Sequence, residues 1–315
     1  MKACLDCLPC LARNAIDLAR KSAQGNAALE AEIARSGLEI LGNAAMDGYS
    51  LPPPCYARRL IDNAWTKSGG RVPDPWANEK KISTELALRL MERLPEISGW
   101  NPESFESRLR LAVAGNILDF SIYADLDIAA AMDTMSTAFT KPICGGLVGS
   151  RVPRDRGHAG RVPLPGNDIV VELKRRMDEA KSILWIFDNC GEAVFDRLMM
   201  EPYREKLTLA VRGKPAFNDL TRAELEESGF PPDFAKGGIV SNDDGVPGVV
   251  DATCGEKFSA AFAAADLIVA KGQANFETMN ERTDKPIAFL FLAKCPVGCR
   301  TIGADPKTIQ VLFAP

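Results

Sequence analysis

The sequence contains a single histidine, His158, among 315 residues. Catalysis with histidine as acid and base, and zinc sites rich in histidine, are therefore nearly excluded. The chain also lacks a Walker A motif and a glycine-rich dinucleotide motif after a strand, so folds that bind nucleoside triphosphates or dinucleotides are not supported. No nucleophile elbow is present, which disfavours a serine hydrolase.

The sequence also has no excess of positive charge and no long apolar run. A net charge of -4 argues against nucleic acid as a partner. No stretch approaches the length of a membrane span, and the first residues, MKACLDCLPCLARNAIDLARK, are too polar for a secretory signal. We therefore expect a cytoplasmic globular protein with neither nucleic-acid nor membrane partners.

The pattern of apolar residues changes along the chain. Helical spacing dominates residues 1–140, with no convincing strand. Glycine, proline and arginine are dense in 145–166, so residues 141–167 are expected to form a surface loop, or alternatively an active-site lid. From 168 to 315, apolar strands alternate with helices. The sequence thus predicts a three-layer α/β/α fold with a mostly parallel, doubly wound sheet, and an N-terminal helical subdomain packed on it as one compact unit.

Polar residues follow nearly every predicted strand of this second region. Ligands bind at the carboxyl ends of the strands in such sheets. The first strand, Ile183–Phe187, ends at Asp188 and Asn189, and the loop after the next strand carries Asp219. The later strands lead to further polar groups, namely Ser241 and Asn242, Lys271 and Asn275, and Lys294 and Cys295. Each group alone is an ordinary cap or turn, but their recurrence favours one shared site.

The residue types at this edge indicate a metal and an anion. Asp188, Asn189 and Asp219 supply hard oxygen donors, which suit Mg²⁺, Mn²⁺ or a related divalent ion. Lys271 and the backbone amides of Ser241–Gly248 suit an anion. Together they suggest phosphoryl chemistry, in which a metal polarises the phosphorus centre and activates a water.

Several segments also resemble the metal-dependent damage-control phosphatases, long known as domain of unknown function 89. In chain order they are GNILDF, DNCGE, RGKPAFND, KGQANFE and AKCPVGCRTIG. Cys4-x-x-Cys7 resembles the prokaryotic, cysteine-containing branch of that family. The resemblance implies an α/β/α sandwich that hydrolyses phosphate monoesters of small metabolites, such as sugar phosphates, phosphopantetheine or nucleotides. It also implies a role in metabolite damage control and one divalent ion, which is Mn²⁺, Mg²⁺, Co²⁺ or Ni²⁺.

The resemblance further assigns roles to individual residues. It places the metal triad on Asp188, Asn189 and Asp219, the phosphate-binding lysine on Lys271, and the substrate-holding turn on Ser241–Gly248. Within that turn, Asp243 stands where relatives often have glycine. The predicted catalytic set is therefore the metal triad with Lys271, and the predicted substrate-binding set is Asn116, Asp119, Glu192, Ser241, Asn242, Lys271 and Asn275.

Some roles stay open at this point. The attacking group is either a water or Asp188 itself. Glu192 is either a partner or base of the site, or an acid that favours a helix N-terminus. Asn116 and Asp119 reach the site if their helix persists, and otherwise cap a helix end.

The nine cysteines form a separate question. The spacing of Cys4, Cys7 and Cys10 suits a second metal or a redox pair, but no second pair follows at zinc-ribbon distance. Cys295 and Cys299 are candidate partners in space. The alternative is that reduced thiols simply pack in the helical subdomain.

Two other classes of function compete with a phosphatase. One is a non-catalytic protein that senses a phosphorylated metabolite or a metal. The other is a carboxyl methyltransferase, which is disfavoured because the chain has no glycine-rich strand-to-helix loop for a methyl donor.

Overall fold

A computed structural model describes residues 1–118, 128–148, 162–164 and 166–314 of the protein. Asp119 and His158 lie outside these ranges. The helices of the described part are α1 (Leu8–Ala23), α2 (Ala27–Met46), α3 (Pro53–Ser68), α4 (Ala77–Glu92), α5 (Phe105–Ala114), α6 (Ile128–Thr140), α7 (Gly166–Glu179), α8 (Cys190–Met200), α9 (Arg222–Glu227), α10 (Glu256–Ala264), α11 (Gln273–Met279) and α12 (Pro296–Ile302). The strands are β1 (Ile143–Leu147), β2 (Val162–Leu164), β3 (Ile183–Ile186), β4 (Leu207–Val211), β5 (Ile239–Ser241), β6 (Leu267–Lys271), β7 (Ile287–Leu292) and β8 (Ile309–Ala314).

Local sequence signals set the bounds of the N-terminal helices. The Asn26 side chain caps α2 by accepting a hydrogen bond from the Leu29 amide at 3.1 Å. Helix α3 begins with a proline and is followed by Gly69, which adopts a left-handed conformation that ends the helix. No helix in the described ranges is both long and apolar enough to cross a membrane.

The described strands form one sheet in the order β2-β1-β8-β7-β6-β3-β4-β5. The five strands from β7 to β5 are parallel, while β8 runs antiparallel to β7. The order reverses at β3, because β4 lies on one side of it and β6 returns on the other. Ligand crevices form at such a reversal, outside the carboxyl ends of the strands.

Both faces of the sheet are covered. Alternate residues of the central strands enter two different apolar clusters, so that Trp185 and Val269 pack on one face while Leu184 and Ile268 pack on the other. Every residue of β3, β6 and β7 is buried. This burial explains the continuous apolar runs in the sequence, and the prediction of a mostly parallel α/β fold is confirmed.

The predicted loop at 141–167 is wrong at its described ends, because β1 and β2 lie within it. A side chain at Gly145 in β1 would overlap Ile169 of α7 and the Val311 carbonyl of β8. The glycine that suggested a loop is therefore a point of close packing between strand and helix. The division into residues 1–140 and 168–315 stays a prediction.

We expect Gly145→Ala to lower the free energy of unfolding by about 1–3 kcal/mol, since an added methyl group overpacks the contact with α7. Gly42→Ala is the matched control, because Gly42 is exposed in α2 and has open space around it. The control should be neutral or stabilising by about 0.5–1 kcal/mol. Urea unfolding of both variants measures the difference, and equal stabilities would contradict the packing of β1 described above.

Candidate functional site

Backbone hydrogen bonds join the segment after the carboxyl end of β3 to the loop that follows β4. The Asp188 carbonyl accepts a hydrogen bond from the Leu220 amide at 2.8 Å. The next residue after Asp188, Asn189, forms an isolated antiparallel bridge with the residue before Leu220, Asp219. The three predicted metal ligands are therefore fixed side by side at the carboxyl edge of the sheet.

Two amide side chains lie between two acids at this edge. Asn116 Nδ2 donates to Asp188 Oδ2 at 2.9 Å and to Glu192 Oε2 at 2.8 Å. Asn189 Nδ2 donates to the same two oxygens at 2.9 and 3.3 Å. Asn116 belongs to a short 3₁₀ helix, Gly115–Leu118, that follows α5. The structure thus brings Asn116 and Glu192 to the site, whereas Asp119 lies outside the described residues.

Negative charge accumulates around Asp188. Burial raises the pKa of this carboxyl well above its usual range, and the nearby carboxylates of Asp219 and Glu192 raise it further. Arg212 and Lys294 act in the opposite direction. Asp188 is 8% exposed and Asp219 4% exposed, so water screens this repulsion little. The cluster is consequently a favourable place for an added cation.

Arg212 fixes the second acid and was not assigned a role from the sequence. Its Nε donates to Asp219 Oδ2 at 2.6 Å, and its Nη1 donates to the Gly248 carbonyl at 2.9 Å. Its Nη2 donates to Asn275 Oδ1 at 3.3 Å. Asn275 in turn donates to the carbonyl of Lys271 at 2.6 Å. Both side chains therefore tie the loops of the site to one another.

Lys271 is directed into the protein, not towards solvent. Its ammonium group donates to the Ala112 carbonyl at 2.9 Å, to Asp196 Oδ1 at 2.6 Å and to Glu192. Burial opposes its charge, but the two carboxylates outweigh burial, so the pKa of Lys271 lies above its ordinary value. These three acceptors match the three N–H donors of an ammonium group. The predicted contact between Lys271 and a substrate phosphate therefore finds no support in this arrangement.

Besides Arg212, Lys294 is a cation whose charge acts on Asp188. It follows β7, and its Nζ donates to the Asn116 carbonyl at 2.6 Å. Its side chain is partly exposed, and its charge opposes the rise in the pKa of Asp188. The sequence pattern had placed Lys294 after a strand on this edge, which is the signal that could have identified it.

The turn after β5 is held by its own side chains. Ser241 Oγ accepts from the Asp243 amide at 2.9 Å. Asn242 Oδ1 accepts from the amides of Gly213 and Asp244 at 2.8 and 3.2 Å. The amides of Asp243 and Asp244 therefore already have acceptors within the turn, and the anion-binding role of Ser241–Gly248 stays a prediction. Asp243 has a φ of 61°, a left-handed conformation that glycine adopts more readily than other residues.

The predicted second metal site is also not supported. Cys4, Cys7 and Cys295 pack in the apolar cluster of the N-terminal helices. Within the described ranges, no three side chains of histidine, cysteine, aspartate or glutamate are grouped to hold a metal ion. The main candidate site differs in its ligand types, since it combines the carboxylates of Asp188 and Asp219 with the amide of Asn189.

Two cavities lie apart from this cluster. One of about 720 Å³ is formed by residues of α5, α6 and their neighbours. Another of about 460 Å³ is lined by residues of α1 and α3, including Trp65, and by Lys214. Neither is lined by the buried acids, so the chemistry of the side chains identifies the site better than cavity volume does.

Comparison with known proteins agrees with this geometry. Residues 3–308 match the family described as damage-control phosphatase ARMT1-like domain. The chain belongs to this family. The fold and the sequence resemblance described above are thereby confirmed.

Individual relatives of the family cover most of the chain. A damage-control phosphatase of Pyrococcus horikoshii is 28% identical over 308 residues, which is 96% of this chain and 94% of that protein. A damage-control phosphatase of Archaeoglobus fulgidus is 27% identical over 239 residues, or 74% of each chain. The crystal structure of a DUF89 family protein from P. horikoshii superposes with a TM-score of 0.77 at 23% identity, covering 99% and 98% of the two chains.

Gly272 is predicted to be essential for the position of Asp188. Its φ is 81°, and an added Cβ would overlap the Asp188 carboxylate. We expect Gly272→Ala to be less stable than Gly238→Ala by about 1–3 kcal/mol, because both residues have positive φ but only the first would clash. Gly238 has a φ of 74° and nothing within 4 Å of its added Cβ.

Urea unfolding at one fixed pH compares these two variants with the wild type. An equal loss of stability in both variants would mean that only backbone conformation matters at Gly272. The close approach of Gly272 to Asp188 would then contribute nothing to the loss of stability.

Proposed function

We propose that this protein is a metal-dependent phosphatase that hydrolyses phosphate monoesters of small metabolites in metabolite damage control. The substrate class comprises sugar phosphates, phosphopantetheine and nucleotides, and the ion is Mn²⁺, Mg²⁺, Co²⁺ or Ni²⁺. One observation carries the proposal: Asp188, Asn189 and Asp219 adjoin one another at the carboxyl edge where the strand order reverses. Family membership and the names of the two relatives support it.

The residues present fit a single divalent ion. Both carboxylates are buried, and burial together with repulsion from Asp219 and Glu192 raises the pKa of Asp188, an effect that a bound dication would oppose. Asn189 Nδ2 is engaged by Asp188 and Glu192, which leaves its Oδ1 as the amide atom able to ligate. A bound ion of this type polarises a phosphoryl group and lowers the pKa of a coordinated water.

The surrounding side chains have separate parts in this proposal. Glu192 holds the amides of Asn116 and Asn189 in place, and Lys271 neutralises Glu192 from the buried side. Lys294 is the partly exposed cation beside Asp188. We therefore assign the substrate phosphate to Lys294, where it would offset charge that develops during phosphoryl transfer.

The first test concerns the metal and the two acids. Chelated protein should release no phosphate from p-nitrophenyl phosphate or from a panel of phosphorylated metabolites, and one of the four divalent ions should restore turnover. We expect Asp188→Asn and Asp219→Asn to lower kcat/KM on the order of 100-fold or more, since each removes a charged ligand. Asp47→Asn is the control, because Asp47 is exposed at the end of α2.

The results of this test distinguish a metal-dependent phosphatase from a sensor. Variants of Asp188 and Asp219 that hydrolyse as fast as the wild type would refute the site. Stabilisation of the fold by phosphate esters, without phosphate release over hours, would instead favour a sensor. Thermal unfolding of both variants shows whether lost activity comes from lost structure.

The second test separates the two lysines. Lys271→Met should lower the free energy of unfolding by about 3–5 kcal/mol, because Glu192 and Asp196 would remain buried without their cation. Lys294→Met should change stability by less than about 1 kcal/mol and lower kcat/KM on the order of 100-fold. Urea unfolding and steady-state kinetics measure both quantities. A stable but inactive Lys271→Met protein, together with an active Lys294→Met protein, would reverse the assignment.

A further inference from the structure

Two thiols lie side by side in the N-terminal turn. Residues Leu5–Cys7 form a single turn of 3₁₀ helix, closed by a hydrogen bond of 2.9 Å from the Cys7 amide to the Cys4 carbonyl. The Cys4 and Cys7 Sγ atoms are 3.9 Å apart. No step of the proposed phosphatase reaction uses either thiol, so the pair needs its own explanation.

The backbone of this turn is compatible with a disulfide. A four-residue turn closed in this way holds its first and last Cα atoms less than about 7 Å apart. Disulfides join Cα atoms separated by roughly 4.4–6.8 Å. Rotation of the Cys4 and Cys7 side chains can therefore close the gap between their sulfur atoms without moving the turn.

The two thiols differ in their surroundings. Cys7 is buried, and burial is the main cause that raises its pKa to about 12. Cys4 is partly exposed, so an oxidant from solvent reaches it first. A partly exposed thiol beside a buried one is the arrangement of an attacking and a resolving cysteine.

The neighbours of the pair argue against a metal as its purpose. Cys295 packs in the same apolar cluster, but the described side chains include no group of three histidine, cysteine, aspartate or glutamate residues placed to bind an ion. Cys10 lies on the same segment but is exposed. The contact between Cys4 and Cys7 is thus best matched to chemistry that needs two sulfur atoms.

The pair also adjoins the segment that carries Lys294. Cys295 and Val297, at the start of α12, pack in one cluster with Cys7. Gln273 Oε1 accepts hydrogen bonds from the amides of both Lys294 and Cys295 at 3.3 Å. The thiols therefore lie outside the acid cluster, joined to it through this short connection.

We propose that Cys4 and Cys7 are a reversible dithiol–disulfide pair oxidised by a hydroperoxide. The Cys4 thiolate attacks a peroxide oxygen, the O–O bond breaks, and with one added proton a sulfenic acid and the first water form. The Cys7 sulfur then attacks the Cys4 sulfur, its proton leaves with the hydroxyl group as the second water, and the S–S bond forms. Two thiols and one hydrogen peroxide thus give one disulfide and two waters.

The experiment uses the full-length reduced protein, exposed to hydrogen peroxide and then alkylated with N-ethylmaleimide. Trypsin releases the segment Ala3–Arg13, which contains three cysteines. We expect this peptide to lose the mass of two hydrogen atoms and to carry one maleimide, on Cys10, and dithiothreitol before alkylation should restore three labels. Cys4→Ser and Cys7→Ser should each abolish the cross-link.

Cys10→Ser is the matched control, because it changes the exposed thiol of the same peptide and should leave the cross-link intact. Circular dichroism checks that all three variants fold. Three results would overturn the proposal: a cross-link that requires Cys10, a disulfide that joins Cys7 to Cys295, or no cross-link at all in the folded wild type. Zinc added alone that binds with one equivalent and protects Cys4, Cys7 and Cys295 from alkylation would also overturn it. None of these results bears on the phosphatase assay, so the two proposals fail independently.

Discussion

Three carboxylates buried at one edge of the sheet, Asp188, Glu192 and Asp219, impose the main constraint on this structure. Each is at most 8% exposed, so their mutual repulsion is poorly screened. Amide groups and cations surround them, namely Asn116, Asn189, Arg212, Lys271 and Lys294. This concentration of buried acids at the carboxyl ends of the strands is the basis of our proposal that a divalent ion binds there.

The surrounding cations differ in their exposure to solvent. Arg212 and Lys271 are buried, and each donates both to at least one acid and to one backbone carbonyl. Such groups fix geometry and are costly to remove. Lys294 is partly exposed, and it is the cation to which we assign the substrate phosphate. Gly272 completes the arrangement, since only a residue without a side chain leaves room for the Asp188 carboxylate.

The sequence predicted the elements of the site better than the directions of its side chains. Alternating strands and helices indicate a parallel sheet, and the strand-end rule then located Asp188, Asn189 and Asp219. Lys271 follows the same rule, but it shares its strand face with Leu267 and Val269, which pack against the helices on that side. That alternation was visible in the sequence, whereas the partners Ala112 and Asp196 come from distant helices and appear only once the chain is folded.

Other departures have similar physical causes. The sequence around Gly145 indicated a loop because glycine is common in loops. Its actual role, a close contact with α7, depends on tertiary packing, which the local sequence pattern does not encode. The substrate role of Ser241 and Asn242 stays a prediction, and their side chains accept hydrogen bonds from backbone amides of their own turn, as short polar side chains commonly do.

The central claim is that the buried acids hold one divalent ion, and anomalous diffraction from crystals grown with Mn²⁺ tests it most directly. The account predicts one strong peak, coordinated by oxygen atoms of Asp188, Asn189 and Asp219. A peak at another set of side chains, or none at an Mn²⁺ concentration that supports turnover, would contradict it.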